Sequence, residues 1–424
     1  MSINWKRILL LIGFIASIFL IGYLLYYFFL KPTIPSQTGV TNGNTNGGLL
    51  PGAGTNVNIP TKTNTNGALP GQAGTTNVNQ MAVPPEEIAQ KATASEVANG
   101  GMTKISALTD SAAYEPILAA RSDDIIYYNK TTGLFYRITA DGKSTPLSNQ
   151  IFYDVEKITW SPDKQKAILE YPDGNKIVYD FATNKQIVTL PQHWKDFSFS
   201  PTSDRLIFKS MGNDEENRWI AIANIDGSQA TKVEHLGNED KTVDTLWSPN
   251  GQIVAMYRED KSYDQQNLFF LGQNNENFKS TVLDGRGFIG QWSPSGSQIL
   301  YSVYSSKNDY KPSLWIVTAQ GEDIGNNRQS LQLQTWADKC SFANDTSIYC
   351  AVPRQLNEGA GIFRTELDNS PCDIYKIDLR TGSKSKIAIP ETSQNISSVV
   401  VSQDERYLYF TNKDNGLLYK INLK

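Results

Sequence analysis

Histidine and cysteine are nearly missing from this 424-residue chain, which holds two of the first and three of the second. His193 and His235 each stand alone, and no His-Glu-x-x-His run or paired Cys-x-x-Cys appears, so the usual zinc-ligand spacings are excluded. A Gly-x-Ser-x-Gly nucleophile elbow is absent too. The acidic group Asp214-Glu215-Glu216 lacks the spacing of a calcium loop and reads as a solvated tip. Charge is sparse, at 19% of residues, and 39 Lys and Arg against 43 Asp and Glu leave a net charge of −4. That balance supplies no basic field, so nucleic acid is not an expected partner.

The one long apolar run spans residues 8–30. At about 1.5 Å per residue a helix there crosses the roughly 30 Å hydrocarbon core. Lys6 and Arg7 precede it and Tyr26, Tyr27, Phe28 and Phe29 gather at its far end. These flanks predict a single-pass signal anchor with residues 1–7 in the cytoplasm and the rest of the chain on the extracytoplasmic side. Residues 31–85 carry only Lys31 and Lys62 as charges and are rich in Gly, Asn, Thr and Pro. Such a composition buries too little apolar surface to fold and reads as a disordered linker, roughly 40 Å end to end as a coil. Pro84-Pro85-Glu86-Glu87 then predicts a short helix over 86–100, ending at Gly100-Gly101.

From there a short phrase repeats. It reads Trp160-Ser161-Pro162-Asp163, Phe199-Ser200-Pro201, Trp247-Ser248-Pro249-Asn250, Trp292-Ser293-Pro294-Ser295, Phe342-Ala343-Asn344-Asp345 and Val401-Ser402-Gln403-Asp404. The Ser position, held once by Ala343, steps by 39, 48, 45, 50 and 59 residues. A period of that size in β-rich sequence predicts an all-β propeller, one four-stranded blade per repeat, with the phrase as the turn between the two inner strands. A further set of strands at Ile117–Ala120, Ile125–Tyr128 and Leu134–Thr139 makes seven blades over residues 101–424. The chain ends after a third strand, and Lys104–Asp110 resembles the outer-strand segment Lys143–Asn149. Residues 103–109 are therefore expected to close the ring on the last blade, removing exposed strand edges.

These phrases resemble the TolB-like, or PD40, branch of the WD40-like propellers over roughly residues 103–424, with the best match at 160–163, 247–251 and 292–296. The Gly-His and Trp-Asp pairs of true WD40 repeats are absent. The resemblance implies an extracytoplasmic binding platform, although fold alone does not carry function.

Loop length is the remaining signal. The connection between second and third strands is long in four consecutive blades, at Met211–Arg218, Arg258–Asn267, Ser305–Ser313 and Pro353–Cys372. These loops carry Arg258, Tyr263, Tyr310, Arg354, Phe363 and Arg364, residue types common at interface hot spots. Trp194 and Trp336, in the loops entering inner strands, are expected on the same face. Cys340 and Cys350 flank one inner turn and suit a cross-strand disulfide, though Cys372 leaves another pairing, or three free thiols, open.

The expected function is a non-enzymatic protein-binding scaffold of the bacterial cell envelope, without cofactor, engaging another envelope protein or a surface polymer. The alternative is a propeller-fold enzyme of the metal-dependent lactonase or glycan lyase type, or a polysaccharide-binding surface protein. For the enzyme, Asp154, Asp196, Asp244 and Asp338, each near the start of an inner strand, are the candidate carboxylates. Convergence of several of them on one point at the channel separates the two readings.

Overall fold

The repeated phrase forms a turn whose buried hydroxyl takes the place of a missing neighbour. In the computed structural model, Ser161 is fully buried; its Oγ accepts the Lys166 N–H at 3.0 Å and donates to the Lys166 carbonyl at 2.9 Å. The same bond from the residue five positions on reaches Ser200, Ser248, Ser293 and Ser402. The residue three positions after each Ser is left-handed: Lys164, Ser203, Gly251, Gly296 and Glu405 have φ of 56°, 61°, 78°, 72° and 54°. At Gly296 glycine is required twice over, because a Cβ there would lie 2.7 Å from the Asn250 nitrogen. Ala343 has no hydroxyl, and its turn is correspondingly shorter: Asn344 pairs with Ser347, and Asn344 Oδ1 accepts the Thr346 N–H at 2.9 Å.

The structure describes residues 93–424 apart from 275 and 277, together with Leu20 and Ile21. Among the described residues, seven antiparallel sheets follow one another, each starting at an inner strand: Tyr114–Leu118, Lys157–Trp160, Trp194–Phe199, Val243–Thr245, Arg286–Trp292, Cys340–Asn344 and Ile396–Val401. Apolar side chains on both faces of a blade need two neighbours, and the core divides accordingly. Seven buried clusters each draw on two adjacent blades, as where Phe135 of the first meets Phe152, Tyr179 and Phe181 at the second. The closing cluster joins Ile125, Tyr127 and Ile138 of the first blade to Tyr409 and Leu418 of the last. Across that seam Tyr409 Oη donates to the Asp123 carbonyl at 2.9 Å and Lys420 Nζ to the Ala140 carbonyl at 2.7 Å.

The segment 93–110 works as a strap. Ser106–Ala107 takes the outer place of the last blade, with Ser106 opposite Lys420 and Ala107 opposite Tyr419. Met102–Thr103 instead adds a parallel fifth strand to the sixth blade, beside Ile389 and Pro390. The strap therefore divides what reads in sequence as one strand, and it ties two blades together. Residues 93–100 are bends around a bridge from Ser95 to Thr103, so the short helix expected over 86–100 does not extend through them. The rest of that helix, the linker and, but for Leu20 and Ile21, the apolar run 8–30 lie outside the described residues. Among the described residues, no helix is long and apolar enough to cross a membrane. Cys340 and Cys350 stand directly opposite one another and are disulfide-bonded, while Cys372 is a buried free thiol.

Candidate functional site at the channel mouth

The inner-strand position four residues before the turn Ser recurs from blade to blade. In the second to fifth blades it is held by Lys157, Asp196, Asp244 and Ile289, and all four line one cavity of about 400 Å³. Lys209, from the second strand of the third blade, lines it too. Asp196 holds a left-handed φ of 52° at a bulge, which turns it out of the ladder.

The charges form a chain. Lys157 Nζ lies 3.8 Å from Glu170 and 3.5 Å from Asp196 Oδ1; Lys209 Nζ donates to Asp196 Oδ2 at 2.8 Å and to the Asp240 carbonyl at 2.7 Å. Arg258 Nη1 is 3.0 Å from Asp244 Oδ2, and that oxygen, though buried, accepts no hydrogen bond. The two aspartates are pushed in opposite directions. Burial raises the Asp244 carboxyl above its ordinary range, against the pull of Arg258 and Lys209. Burial acts the same way on Asp196, but the hydrogen bond and charge of Lys209, with Lys157, outweigh it and leave that carboxyl low. Neighbouring carboxyls displaced in opposite senses are the arrangement from which acid and base roles arise.

Val243 also lines a second cavity, of about 690 Å³, between the third and fourth blades. Glu234, His235, Glu239, Tyr257 and Glu259 border it. His235 packs edge-on against Trp219.

The sequence-derived residues scatter around this centre. Arg258 belongs to it, but as the partner of Asp244 and of the Lys241 carbonyl at 2.8 Å rather than as a surface anchor. Trp194 is core, stacked on Phe208 with centroids 3.8 Å apart. Trp336 is only 2% exposed, packed on Leu356 and Ala360 beneath the Arg364 guanidinium. These two indoles fill space under the loops; neither reaches the face they were expected to present. Arg354 pairs with Asp373 at 2.7 Å, and Arg364 grips Asp338 at 2.7 and 2.9 Å. Tyr263 and Phe363 are exposed, and Tyr263 Oη lies 3.2 Å from Tyr310 Oη. The segment 258–267, read as a loop, is a hairpin: strands Ile253–Ser262 and Gln265–Gly272 carry Tyr263 at the tip. Arg286 holds that tip, donating to the Tyr263 and Ser262 carbonyls and to Asp260.

Of the four candidate carboxylates, Asp196 and Asp244 come together; exposed Asp154 and Arg364-bound Asp338 do not line that cavity. Lys157 and Lys209 went unnoticed in the sequence. The signal that finds Lys157, Asp196 and Asp244 is their shared offset from the turn Ser; Lys209 has no such mark.

No protein-family model matches the chain, and no curated protein matches its sequence. Solved structures do. An oligogalacturonate lyase in complex with manganese aligns with a TM-score of 0.51 and 12% identity, over 76% of this chain and 93% of that one. The β-propeller domain of Myceliophteria thermophila Cps50 (Swd1) aligns at 0.52 and 10%, over 76% of this chain and all of that one (100%). The ring is a seven-bladed β-propeller. TolB from Acinetobacter baumannii aligns at 0.42 and 15%, over 63% of this chain and 65% of that one.

These likenesses are of fold, and they correct one expectation. The reading of the ring as a non-enzymatic scaffold is overturned, because the propeller from which it was drawn is equally that of a lyase. The fold is equally compatible with the propeller-enzyme alternative. Its metal-dependent form finds no ligand set: among the described residues, no three His, Cys, Asp or Glu side chains gather closely enough to hold an ion.

Proposed function

We propose that the protein is a propeller enzyme of the glycan lyase type, cleaving a uronate-containing polysaccharide at the channel mouth. The observation that carries this reading is the pair Asp196 and Asp244, in one cavity and displaced in opposite directions, beside a half-exposed Lys157. In an elimination, Asp196 removes the proton from the carbon bearing the uronate carboxyl, and Lys157 holds the charge that spreads onto that carboxyl. The electron pair of that C–H bond becomes the new C=C bond as the glycosidic C–O bond breaks. Asp244, held toward its protonated form, delivers a proton to the departing oxygen. The apolar run at 8–30, read as an anchor, supports a tethered site outside the cytoplasmic membrane, with a cell-surface or environmental polymer as substrate.

The test is incubation of the full-length protein with polygalacturonate and with alginate, following the ultraviolet absorbance of the unsaturated uronide. Asp244→Asn and Asp196→Asn are each expected to cut the rate by at least about a hundredfold, the usual worth of a positioned acid or base, while leaving substrate binding within a few fold. Chain scission without the unsaturated product, or Asn variants as fast as the parent, refutes the assignment.

A further inference from the structure

A third cavity lies on the second blade and shares no lining residue with the cavity that holds Asp196 and Asp244. It encloses about 410 Å³ between the segment entering that blade, Gln150–Tyr153, and the blade's third and fourth strands, within the usual size of small-molecule sites. Three features define its chemistry. Tyr153 stands 67% exposed beside Ile151, itself 43% exposed, leaving a flat aromatic ring and an aliphatic chain in water at the rim. Behind them Phe152 packs edge-on against Tyr179 with centroids 4.8 Å apart, which fixes the floor.

The second feature is a set of amides with one half each uncommitted. Gln186 uses its Nε2 on Thr189 Oγ1 at 2.9 Å, leaving Oε1; Asn175 uses its Oδ1 on the Lys176 N–H at 3.2 Å, leaving Nδ2. Amides offer both donors and acceptors, as sugar hydroxyls require. The third is charge. Asp173 is the one ionisable acid at the lining, and no Lys or Arg joins it. Burial, with Tyr128 and Asp173 nearby, pushes the Tyr171 phenol up to about 12, so it remains a neutral hydroxyl donor.

We infer that this groove is a binding subsite for a neutral sugar, a hexose or N-acetylhexosamine unit stacked on Tyr153 and hydrogen-bonded by Gln186 and Asn175. An exposed aromatic ring covers the C–H face of a pyranose while the amides take its equatorial hydroxyls. A uronate is disfavoured, since its carboxylate meets Asp173 and finds no cation. The site is separate from Asp196 and Asp244, so it stands whether or not the channel mouth is catalytic.

Titration calorimetry on the full-length Asp244→Asn variant tests this without interference from cleavage, using cellohexaose, N-acetylchitohexaose and hexagalacturonate as probes. At least one neutral oligomer is expected to bind, with hexagalacturonate at least about tenfold weaker at this site. Tyr153→Ala is expected to weaken the neutral ligand about tenfold or more, as losing a stacked aromatic anchor does, and Tyr153→Phe to retain it. Tyr153 is largely exposed, so the melting temperature serves as a control and should not move. Equal affinity for parent and Tyr153→Ala, binding of hexagalacturonate alone, or no neutral oligomer bound at millimolar concentration overturns the inference.

Discussion

Leu418→Ala probes the seam on which the ring depends. Leu418 is fully buried in the cluster that joins the last blade to the first, beside Tyr127, Ile138 and Tyr409. Its backbone also anchors the strap: its N–H donates to Thr109 Oγ1 at 3.0 Å and its carbonyl accepts the Leu108 N–H at 2.8 Å. Truncating a core leucine costs about 2–5 kcal/mol, the upper part where neighbours cannot collapse into the void. Strands on both sides hold this site, so a loss of about 3 kcal/mol is expected. Unfolding entropy is about 2.1 cal/mol/K per residue, or about 0.7 kcal/mol/K for a ring of roughly 330 residues, so the melting temperature should fall by about 4 °C. Differential scanning calorimetry on chains beginning at residue 93 reads this directly. A companion chain beginning at residue 111 loses the strand Ser106–Ala107 and uncovers Leu418 and Ile421, and it should melt lower still or aggregate through the bared edge. A shift below about 1 °C for Leu418→Ala, or equal melting of the 93 and 111 chains, refutes a ring closed at this seam.

Lys339 and Asp368 form a buried pair at 2.5 Å that roots the insertion 353–372, and Lys413 donates to the Asp368 carbonyl at 2.6 Å. Asp368→Asn should cost about 3 kcal/mol by stranding the buried ammonium, whereas Lys339→Met with Asp368→Leu together should cost far less, read by urea unfolding. The turn carboxylates set the acid limb of stability. Ser161 and the Gln165 N–H hold Asp163 low against burial, Thr202 and Ser200 hold Asp204 low, and Asp404 sits at about 2, where burial is outweighed by bonds from the Arg406 N–H and Ser402. Their stabilisation is complete above the unfolded carboxylate range and is lost as pH falls through the lower folded values, so melting temperature should decline only below about pH 4. Asp244 runs the other way: burial raises it, its charged form is a cost at neutral pH, and Asp244→Asn should melt higher than the parent at pH 7 and lose that advantage as pH falls.

The ring was legible in the chain because its signal is local. A buried Ser hydroxyl that bonds the backbone five residues on needs that Ser, a turn residue able to go left-handed, and strands on either side, all within one short stretch. The Cys340–Cys350 bridge was legible for the same reason, since a hairpin fixes its own register. The path of the strap was not, because Met102 and Thr103 pair with residues nearly three hundred positions away and nothing near them in sequence records the parallel partner. Trp194 and Trp336 show the other limit. An indole ahead of an inner strand looks the same whether it points to solvent or under a loop, and the choice is made by Phe208 in one case and by Leu356 and Ala360 in the other. Sequence alone thus determined the number and order of the blades. Which charges meet at the channel was decided only by packing between repeats, which sequence spacing does not record. Lys157 of the second blade reaches Asp196 of the third at 3.5 Å, Lys209 reaches the Asp240 carbonyl ahead of the fourth at 2.7 Å, and burial raises Asp244.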